Sequence, residues 1–455
     1  MITLINCSVK TTKELGGARA PQGCLYLLAA AEEAGYKVNF RDYQLEKLED
    51  FSDPLNFIKF ISDDSNVVAI STMSNLMPLV LAGTEILKKR HPEKTVVLGG
   101  IGPSGVARRL MEEFDHIDVI AVGEGEETFC ELLSVFEGNR ALKDVKGIYY
   151  RGKNGDVCAT PARTRVKSLD QLPIPAYHLL DMSRYETVGI QTARGCPFPC
   201  TFCDVSAYWG RKVTYRSIPS VVKELDLIEK KYNFDKITIL DDTFTIDSAR
   251  VKDFCKAWVE HGLSIKWSVY CRVDLLSEEL IDRMVEAGCY RTFLGIESGS
   301  NEVLKKIAKP INFEHLVRTV KNISRKCIVR CNLIWGFPFE TMEDLKQTVQ
   351  LLFYLKELEC DVSIAMLSPL PLSTLYKSGR YGLVLHEDLQ SSVVSSRFFQ
   401  PSGELADGKP STLVDMIRAH PDIFPGFYTF KDDLFEQKLD YLCSMGLEIE
   451  RLARQ

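Results

Sequence analysis

The sequence predicts an α/β protein with an N-terminal doubly wound parallel sheet, then a partial (β/α)6 barrel, and then a small, mainly helical C-terminal region. Two observations lead to this prediction. Apolar strand-like runs alternate with helical stretches along most of the 455 residues, and strands separated by single helices form parallel sheets through right-handed crossovers. The alternation is interrupted at SLDQLPIPAYHLLDMSRY (168–185), where prolines and weak periodicity predict a domain boundary.

The first sheet is predicted within residues 1–140. Its strands are MITLINC (1–7), KVNFRDY (37–43), NVVAISTMS (66–74), KTVVLGG (94–100) and IDVIAVGEGE (117–126), and helical periodicity is found at GCLYLLAAAEEAGY (23–36) and LVLAGTEILKKRHP (79–92). Two strand ends carry glycines, LGGIGPSG (98–105) and VGEGEET (122–128). We expect both at the carboxyl edge of the sheet, which is where doubly wound sheets bind ligands.

Residues 141–185 are predicted to form a hairpin and a linker, because VKGIYYRGKNGDVCATP (145–161) has two strand-like runs around the turn KNGD. The barrel is predicted over residues 186–380. Its six strands are VGIQTARG (188–195), KITILDD (236–242), IKWSVYCRV (265–273), RTFLGIES (291–298), VRCNLIWGFP (329–338) and DVSIAMLSPL (361–370). An active site is expected where these strands end. Residues 381–455 form the C-terminal region, which is a candidate substrate-facing segment.

Composition narrows the function classes. The net charge of -6 gives no electrostatic reason to expect a nucleic-acid partner. No apolar run approaches the length that spans a bilayer. The N-terminal MITLINCSVK lacks the basic front end and cleavage site of a signal peptide. We therefore expect a cytoplasmic protein whose thiols are reduced.

Three cysteines are concentrated in RGCPFPCTFC (194–203), directly after the first barrel strand. A structural zinc site takes four ligands, usually as two separated pairs, and no second Cys or His pair follows at zinc-knuckle spacing. Three thiolates suit a [4Fe–4S] cluster, in which one iron then keeps an open coordination position. The spacing therefore predicts a reactive iron–sulfur site formed by Cys196, Cys200 and Cys203.

The spacing C-x-x-x-C-x-x-C, with an aromatic residue before the last Cys, resembles the motif of the radical S-adenosylmethionine (SAM) superfamily. The later strand ends LDDTFT (240–245), YCRVD (270–274), LGIESGS (294–300), NLIWGFPFET (332–341) and LSPLPLSTLY (367–376) resemble that family's SAM-contacting motifs. The resemblance implies that the three cysteines are the catalytic cluster ligands and that an external electron donor such as flavodoxin or ferredoxin is used. The SAM contacts that it implies are Phe202, Asp241, Asp242, Thr243, Arg272, Glu297, Gly336 and Pro338.

Alternative roles are open for some of these side chains. Asp241 or Asp242 has a second interpretation as a cap of the following helix, and Arg272 as half of a surface ion pair. For Glu297 a functional role is favoured, because burial of a carboxylate in an apolar strand costs free energy unless the group is engaged in binding.

Residues 1–140 resemble the cobalamin-binding domain of the cobalamin-dependent radical SAM subclass. The cobalamin contacts that the resemblance implies are Ser71, Thr72, Asn75, Leu76, Gly99, Gly100, Ile101, Gly102, Gly123, Glu124, Gly125 and Glu126. The alternative is that these glycines make tight turns in a nucleotide-type fold. Only Cys7 and Cys24 precede Cys130, which disfavours the second cluster that methylthiotransferases hold with three N-terminal cysteines.

The resemblance implies a C-methyltransferase that acts on an unactivated carbon of a small molecule or peptide, through a 5'-deoxyadenosyl radical and methylcobalamin. A second hypothesis is a radical SAM enzyme of the same architecture that catalyses a cyclisation, rearrangement or epimerisation. An electron-transfer or corrinoid-carrier module is the third, and the five SAM-type strand ends argue against it. In the C-terminal region, aromatic residues of SSRFFQPSGE (395–404) and FPGFYTFKDDL (424–434) either pack or line a substrate entrance, and packing is favoured.

Overall fold

The computed structural model describes residues 2–8, 17–46, 53–61, 65–386 and 412–446. Two sheets dominate these residues, one of seven strands and one of six. No helix within the described ranges combines the length and apolar character needed to cross a bilayer.

The seven-stranded sheet has the order β2-β1-β3-β4-β5-β6-β7. Its strands are β1 (Ile2–Cys7), β2 (Asn39–Asp42), β3 (Val67–Thr72), β4 (Thr95–Gly99), β5 (Val119–Ala121), β6 (Ile148–Arg151) and β7 (Val157–Ala159), and its helices are α1 (Gln22–Glu33), α2 (Pro54–Ile61), α3 (Met77–Arg90), α4 (Ile101–Ser104), α5 (Ala107–Glu113) and α6 (Glu126–Phe136). The first five strands are parallel. Leu4 packs with α1 and α6, whereas Ile5 packs with α2 and α3 on the opposite face. Both faces of the sheet are therefore buried, and the doubly wound prediction is confirmed.

The hairpin that the sequence assigns to the linker extends this sheet. Strand β6 pairs antiparallel with β5, and β7 pairs antiparallel with β6. The Arg151 guanidinium donates to the carbonyl oxygens of Met111 and Phe114. The hairpin is thus fixed to α5 and to the sheet edge, while the domain limits at 140 and 186 stay predictions.

The second sheet has six parallel strands in the order β15-β14-β13-β12-β11-β8, as predicted for a partial barrel. The strands of residues 188–366 are β8 (Val188–Ile190), β9 (Ala193–Arg194), β10 (Thr214–Tyr215), β11 (Lys236–Ile239), β12 (Lys266–Cys271), β13 (Cys289–Glu297), β14 (Ile328–Trp335) and β15 (Asp361–Met366), and the helices are α7 (Val205–Tyr208), α8 (Ile218–Leu227), α9 (Ser248–Glu260), α10 (Glu278–Glu286), α11 (Asn301–Lys306), α12 (Phe313–Ile323), α13 (Met342–Glu357) and α14 (Thr374–Lys377). The predicted first barrel strand is interrupted after Ile190. Its last residues form β9, which turns away to pair antiparallel with β10.

Side-chain caps begin the helices that follow the barrel strands. Asp247 accepts a hydrogen bond from Arg250 N at the start of α9. Thr341 and Asp344 form a capping box at the start of α13. These caps satisfy free N–H groups in the first turn of both helices.

The C-terminal region packs on both sheets' helices. It contains β16 (Leu383–Val384), α15 (Thr412–Ala419), β17 (Thr429–Phe430) and α16 (Phe435–Ser444). Phe424, Phe427 and Tyr428 are buried in the apolar cluster of α3 and α5, which supports the packing interpretation for FPGFYTFKDDL. The segment SSRFFQPSGE lies outside the described residues.

Candidate active site

The cysteine loop joins β9 to α7 at the carboxyl end of the barrel. Cys196, Cys200 and Cys203 are all half-buried. Burial raises the pKa of the Cys200 thiol, and it raises the pKa of Cys203 to about 12. Cys196 raises both of these pKa values further, so the three sulfurs lie near enough to one another to interact.

The donor set of this loop fits an iron–sulfur cluster. In the described part of the chain, no three His, Cys, Asp or Glu side chains converge as ligands of a single ion do. Cubane ligands each bind a different iron, so their sulfurs are spaced more widely than those around one zinc. Leu375 N donates to Thr201 O at 2.8 Å, and Thr201 N donates to Ile307 O at 3.0 Å. The loop is therefore held by the segments after β13 and β15.

Asp241 and Asp242, at the end of β11, hold the segment that precedes the cysteines. Asp241 is buried, and its carboxylate accepts from Thr192 N at 2.7 Å and Ala193 N at 2.9 Å. Burial raises the pKa of Asp241 to about 6. Asp242 accepts from Gly195 N at 2.9 Å. Neither residue caps a helix, because Asp247 caps α9, so the capping alternative is wrong.

Two further predicted SAM residues make contacts at the loop, Thr243 from outside it and Phe202 from within it. The Thr243 hydroxyl lies 3.6 Å from Cys196 Sγ. The Phe202 ring packs edge-on against Phe337, with 6.0 Å between centroids. Phe337 lies between the predicted SAM residues Gly336 and Pro338, so the cysteine loop contacts the loop after β14 directly.

Arg272 is buried at the end of β12 rather than on the surface. Its guanidinium lies 3.9 Å from the Phe198 ring centroid and donates to Cys200 Sγ at 3.7 Å. It also pairs with Asp274 at 2.9 Å. The surface ion-pair alternative is therefore wrong, because the cation reaches the cysteine loop.

Glu297, the last residue of β13, has a left-handed backbone with φ of +69°. A non-glycine residue is held in this conformation only by its surroundings. Its buried carboxylate pairs with Lys309 Nζ at 2.5 Å. Lys309 was not predicted from the sequence, since no periodic or motif signal connects it to Glu297.

The loop after β14 is held from the C-terminal region. Gly336 has φ of +85°, and its N–H donates to Glu340 Oε2 at 2.9 Å. The same oxygen lies 3.5 Å from Lys438 Nζ, which pairs with Asp432 at 2.5 Å. Burial raises the pKa of Glu340 to about 7. Neither Glu340 nor Lys438 is among the site residues predicted from the sequence.

The glycine-bearing edge of the first sheet is open and mainly apolar. A cavity there is lined by Ser71, Gly99, Gly100, Gly123, Gly125 and apolar side chains including Leu27 and Phe129. A Cβ on Gly123 would meet no atom within 4 Å, whereas a Cβ on Gly100 or Gly102 would lie 2.6 Å from backbone atoms of Thr72 or Met73. The first glycine leaves room for a ligand, and the other two permit close packing of the loops.

Two apolar side chains are exposed in the loops at this edge. Met73 is 57% exposed and Ile101 is 39% exposed. Met73 is not among the cobalamin contacts predicted from the sequence. Of the other predicted cobalamin residues in this loop, Asn75 is half-buried, while Thr72 and Leu76 are buried.

Glu124 and Glu126 are engaged by the barrel. Both are buried, and both pair with Arg194, at 2.8 and 2.6 Å. Both residues were expected to contact cobalamin, and the structure places their carboxylates on Arg194. Arg194 lies two residues before Cys196, and the sequence analysis did not single it out.

Cys7 and Cys24 are buried thiols in the first domain. Burial raises the pKa of Cys7 strongly and the pKa of Cys24 to about 12. Both thiols are therefore protonated near neutral pH.

Comparison with known proteins connects both halves of the chain to described families. Residues 11–133 match the B12 binding domain model, and residues 190–352 match the Radical SAM superfamily model. An uncharacterized methyltransferase from Pyrococcus horikoshii is 32% identical over 370 residues, which are 80% of this chain and 79% of that protein. The anaerobic magnesium-protoporphyrin IX monomethyl ester cyclase of Rubrivivax gelatinosus is 27% identical over 379 residues, covering 80% of this chain and 67% of the cyclase.

A solved structure shares the fold across both sheets. The cobalamin-dependent radical SAM enzyme OxsB, with aqua-cobalamin and SAM bound, superposes with a TM-score of 0.71 at 19% identity. The match covers 98% of this chain and 66% of OxsB. The order of the two domains and their packing are therefore those of a known arrangement.

Proposed function

Because the chain belongs to the radical SAM superfamily and carries an N-terminal B12 binding domain, we propose that it is a cobalamin-dependent C-methyltransferase acting on an unactivated carbon. The observation that carries the proposal is that the carboxyl edges of the two sheets meet. Tyr208, five residues after Cys203, donates its hydroxyl to Gly123 O at 2.9 Å. A cluster on the cysteine loop and a corrinoid on the first sheet would therefore face one shared space.

When bound, the cluster supplies one-electron reduction of SAM and the corrinoid supplies a transferable methyl group. The side chains around the cysteines prepare the site for these groups. Arg272 places a positive charge at Cys200 Sγ, which stabilises the thiolate that a metal requires. Gly336 is held by Glu340 beside the loop, and a Cβ there would meet no atom closer than 3.9 Å, so a nucleoside can approach this backbone closely.

The substrate would lie between the two domains, where the edge bearing Met73 and Ile101 faces the barrel. We propose a small molecule or a peptide as substrate, and a protein electron donor of the flavodoxin or ferredoxin type. A cytoplasmic location would keep the cluster thiols reduced.

A second candidate function is a radical cyclisation or rearrangement without net methyl transfer. The 27% identity with the R. gelatinosus cyclase favours it. The mass of the product separates the two candidates, since only methylation adds one methylene equivalent.

The test begins with anaerobically purified, cluster-reconstituted protein. We expect about one cubane and one cobalamin per chain, measured as iron, sulfide and corrinoid content, together with formation of 5'-deoxyadenosine from SAM under strong reductant. Replacement of Cys196, Cys200 or Cys203 by Ala is expected to remove cluster iron and abolish this product, whereas the control Cys158→Ala in the hairpin keeps both. Retained SAM cleavage in a cluster-cysteine variant would contradict the cluster assignment, and a chain that rejects supplied cobalamin would contradict methyl transfer.

A further inference from the structure

We infer that Arg194 is a positioning residue that fixes the cysteine loop of the barrel to the ligand edge of the first sheet. Its anchors are Glu124 and Glu126, in the loop after β5 and at the start of α6. The inference rests on the proposed function, because it assigns these glutamates to holding two cofactor sites together instead of contacting cobalamin.

The guanidinium of Arg194 uses all three nitrogens. Nη1 pairs with Glu124 Oε1 at 2.8 Å and Nη2 pairs with Glu126 Oε1 at 2.6 Å. Nε donates to Gln191 Oε1 at 2.8 Å, and the group lies 5.3 Å from the centroid of the Tyr26 ring. This planar fork matches arginine and not lysine, whose ammonium is a single point charge.

The ion pairs are shielded from water. The exposed side-chain fractions are 6% for Arg194, 5% for Glu124 and 8% for Glu126. Glu124 also accepts from Val166 N at 2.7 Å, and Glu126 occupies the first turn of α6, where the helix dipole favours a carboxylate. Removal of the Arg194 cation would leave two buried carboxylates without a cation. Breaking these ion pairs therefore costs free energy.

The backbone from Arg194 to Cys196 links the position of the arginine to that of the first cluster ligand. The intervening Gly195 has φ of +103°, and its N–H donates to Asp242 at 2.9 Å. A Cβ at this position would overlap Lys212 O. Gly195 is therefore fixed on both sides, and the place of Arg194 sets the place of the first cluster ligand.

These ion pairs assign a structural role to Glu124 and Glu126, the two glutamates of the GEGE segment (123–126). They anchor the cysteine loop from the neighbouring domain, so the spacing between the cluster and the corrinoid edge is set by protein contacts. Weakening the ion pairs should loosen the cysteine loop without removing any proposed ligand.

Hydrogen–deuterium exchange of the full chain tests the inference. Arg194→Lys keeps the positive charge but loses the planar guanidinium. In this variant the backbone amides of segment 191–200 should exchange roughly tenfold faster than in the wild type. The double variant Glu124→Gln/Glu126→Gln should loosen the same segment, although both substitutions lie in the other domain. After cluster reconstitution, both variants should also change the line shape of the reduced-cluster EPR spectrum.

Arg163→Lys is the matched control. Arg163 is equally buried and pairs with Glu127 and Glu131 on the same helix α6, yet it makes no described contact with the cysteine loop. It should leave exchange of 191–200 within about twofold of the wild type. Equal acceleration in the control, or unchanged exchange in both the arginine and the glutamate variants, would overturn the inference.

Hydrogen–deuterium exchange is measured without cofactors. Its result therefore does not depend on whether the proposed function is correct. If the wild type binds neither cluster nor cobalamin, the proposed function is refuted, while the exchange comparison still decides whether Arg194 anchors the loop.

Discussion

Substitution of Lys438, the buried lysine next to the loop after β14, tests most directly how the C-terminal region supports the site. Lys438 has a fully buried side chain, which pairs with Asp432 at 2.5 Å and lies 3.5 Å from Glu340. Lys438→Met keeps most of the apolar stem but leaves both carboxylates without their cation. The substitution should therefore destabilise the fold and disturb Gly336, whose N–H is held by Glu340.

The expected cost follows from the environment of the two acids. Removing one partner of a buried ion pair costs about 3–5 kcal/mol. Burial raises the pKa of Glu340 to about 7, so at pH 6 this acid is already mostly protonated and needs the cation less. We expect a loss of about 3 kcal/mol at pH 6 that grows towards about 5 kcal/mol at pH 8.

Urea denaturation followed by tryptophan fluorescence measures this loss, because Trp335 packs 5.4 Å from Phe435 on the helix that carries Lys438. The control is Lys431→Met, an exposed lysine nearby, with an expected change within about 0.5 kcal/mol. SAM affinity of the reconstituted Lys438→Met enzyme should also fall, with iron content unchanged. If Lys438→Met is as stable as Lys431→Met at both pH values, the supporting role is refuted.

Three further predictions concern single positions. Because the folded-state pKa of Glu340 is raised from 4.5 to about 7, its stabilising contribution is present below pH 4.5 and is lost as the pH rises through 7. Wild-type stability should thus fall by up to about 3 kcal/mol more than that of Glu340→Gln between pH 5 and 8, and parallel pH profiles would contradict this. Gly195→Ala should lower the yield of folded protein and cluster iron, because its Cβ would overlap Lys212 O. Gly210→Ala, which also has a positive φ but has open space around it, should keep its iron. Met73→Glu should weaken cobalamin binding at least tenfold by placing a charge on the apolar edge, with cluster content unchanged. Unaltered corrinoid affinity in Met73→Glu would exclude that edge as the corrinoid site.

The secondary structure and its arrangement were predictable because their signals are local and periodic. Buried parallel strands are continuous apolar runs, and the amphipathic helices between them force crossovers in one direction. The hairpin at 145–161 was recognised from its turn, but its pairing with β5 was not, since an edge strand carries no signal for its partner. The interruption of the first barrel strand after Ile190 was also missed, because β9 and β10 depend on pairing between distant segments.

The sequence by itself determined the two parallel α/β units and the cysteine spacing, because these depend on neighbours within a few residues of each other. Only the tertiary structure decided which charges meet. Arg194 pairs with Glu124 across 70 residues, Lys438 reaches Glu340 from the C-terminal region, and Lys309 neutralises Glu297. A glutamate after a glycine turn has the same local pattern whether it faces a ligand or an arginine of the next domain. Its role is set when packing removes both charges from water, since a buried carboxylate must then pair with a cation or accept hydrogen bonds.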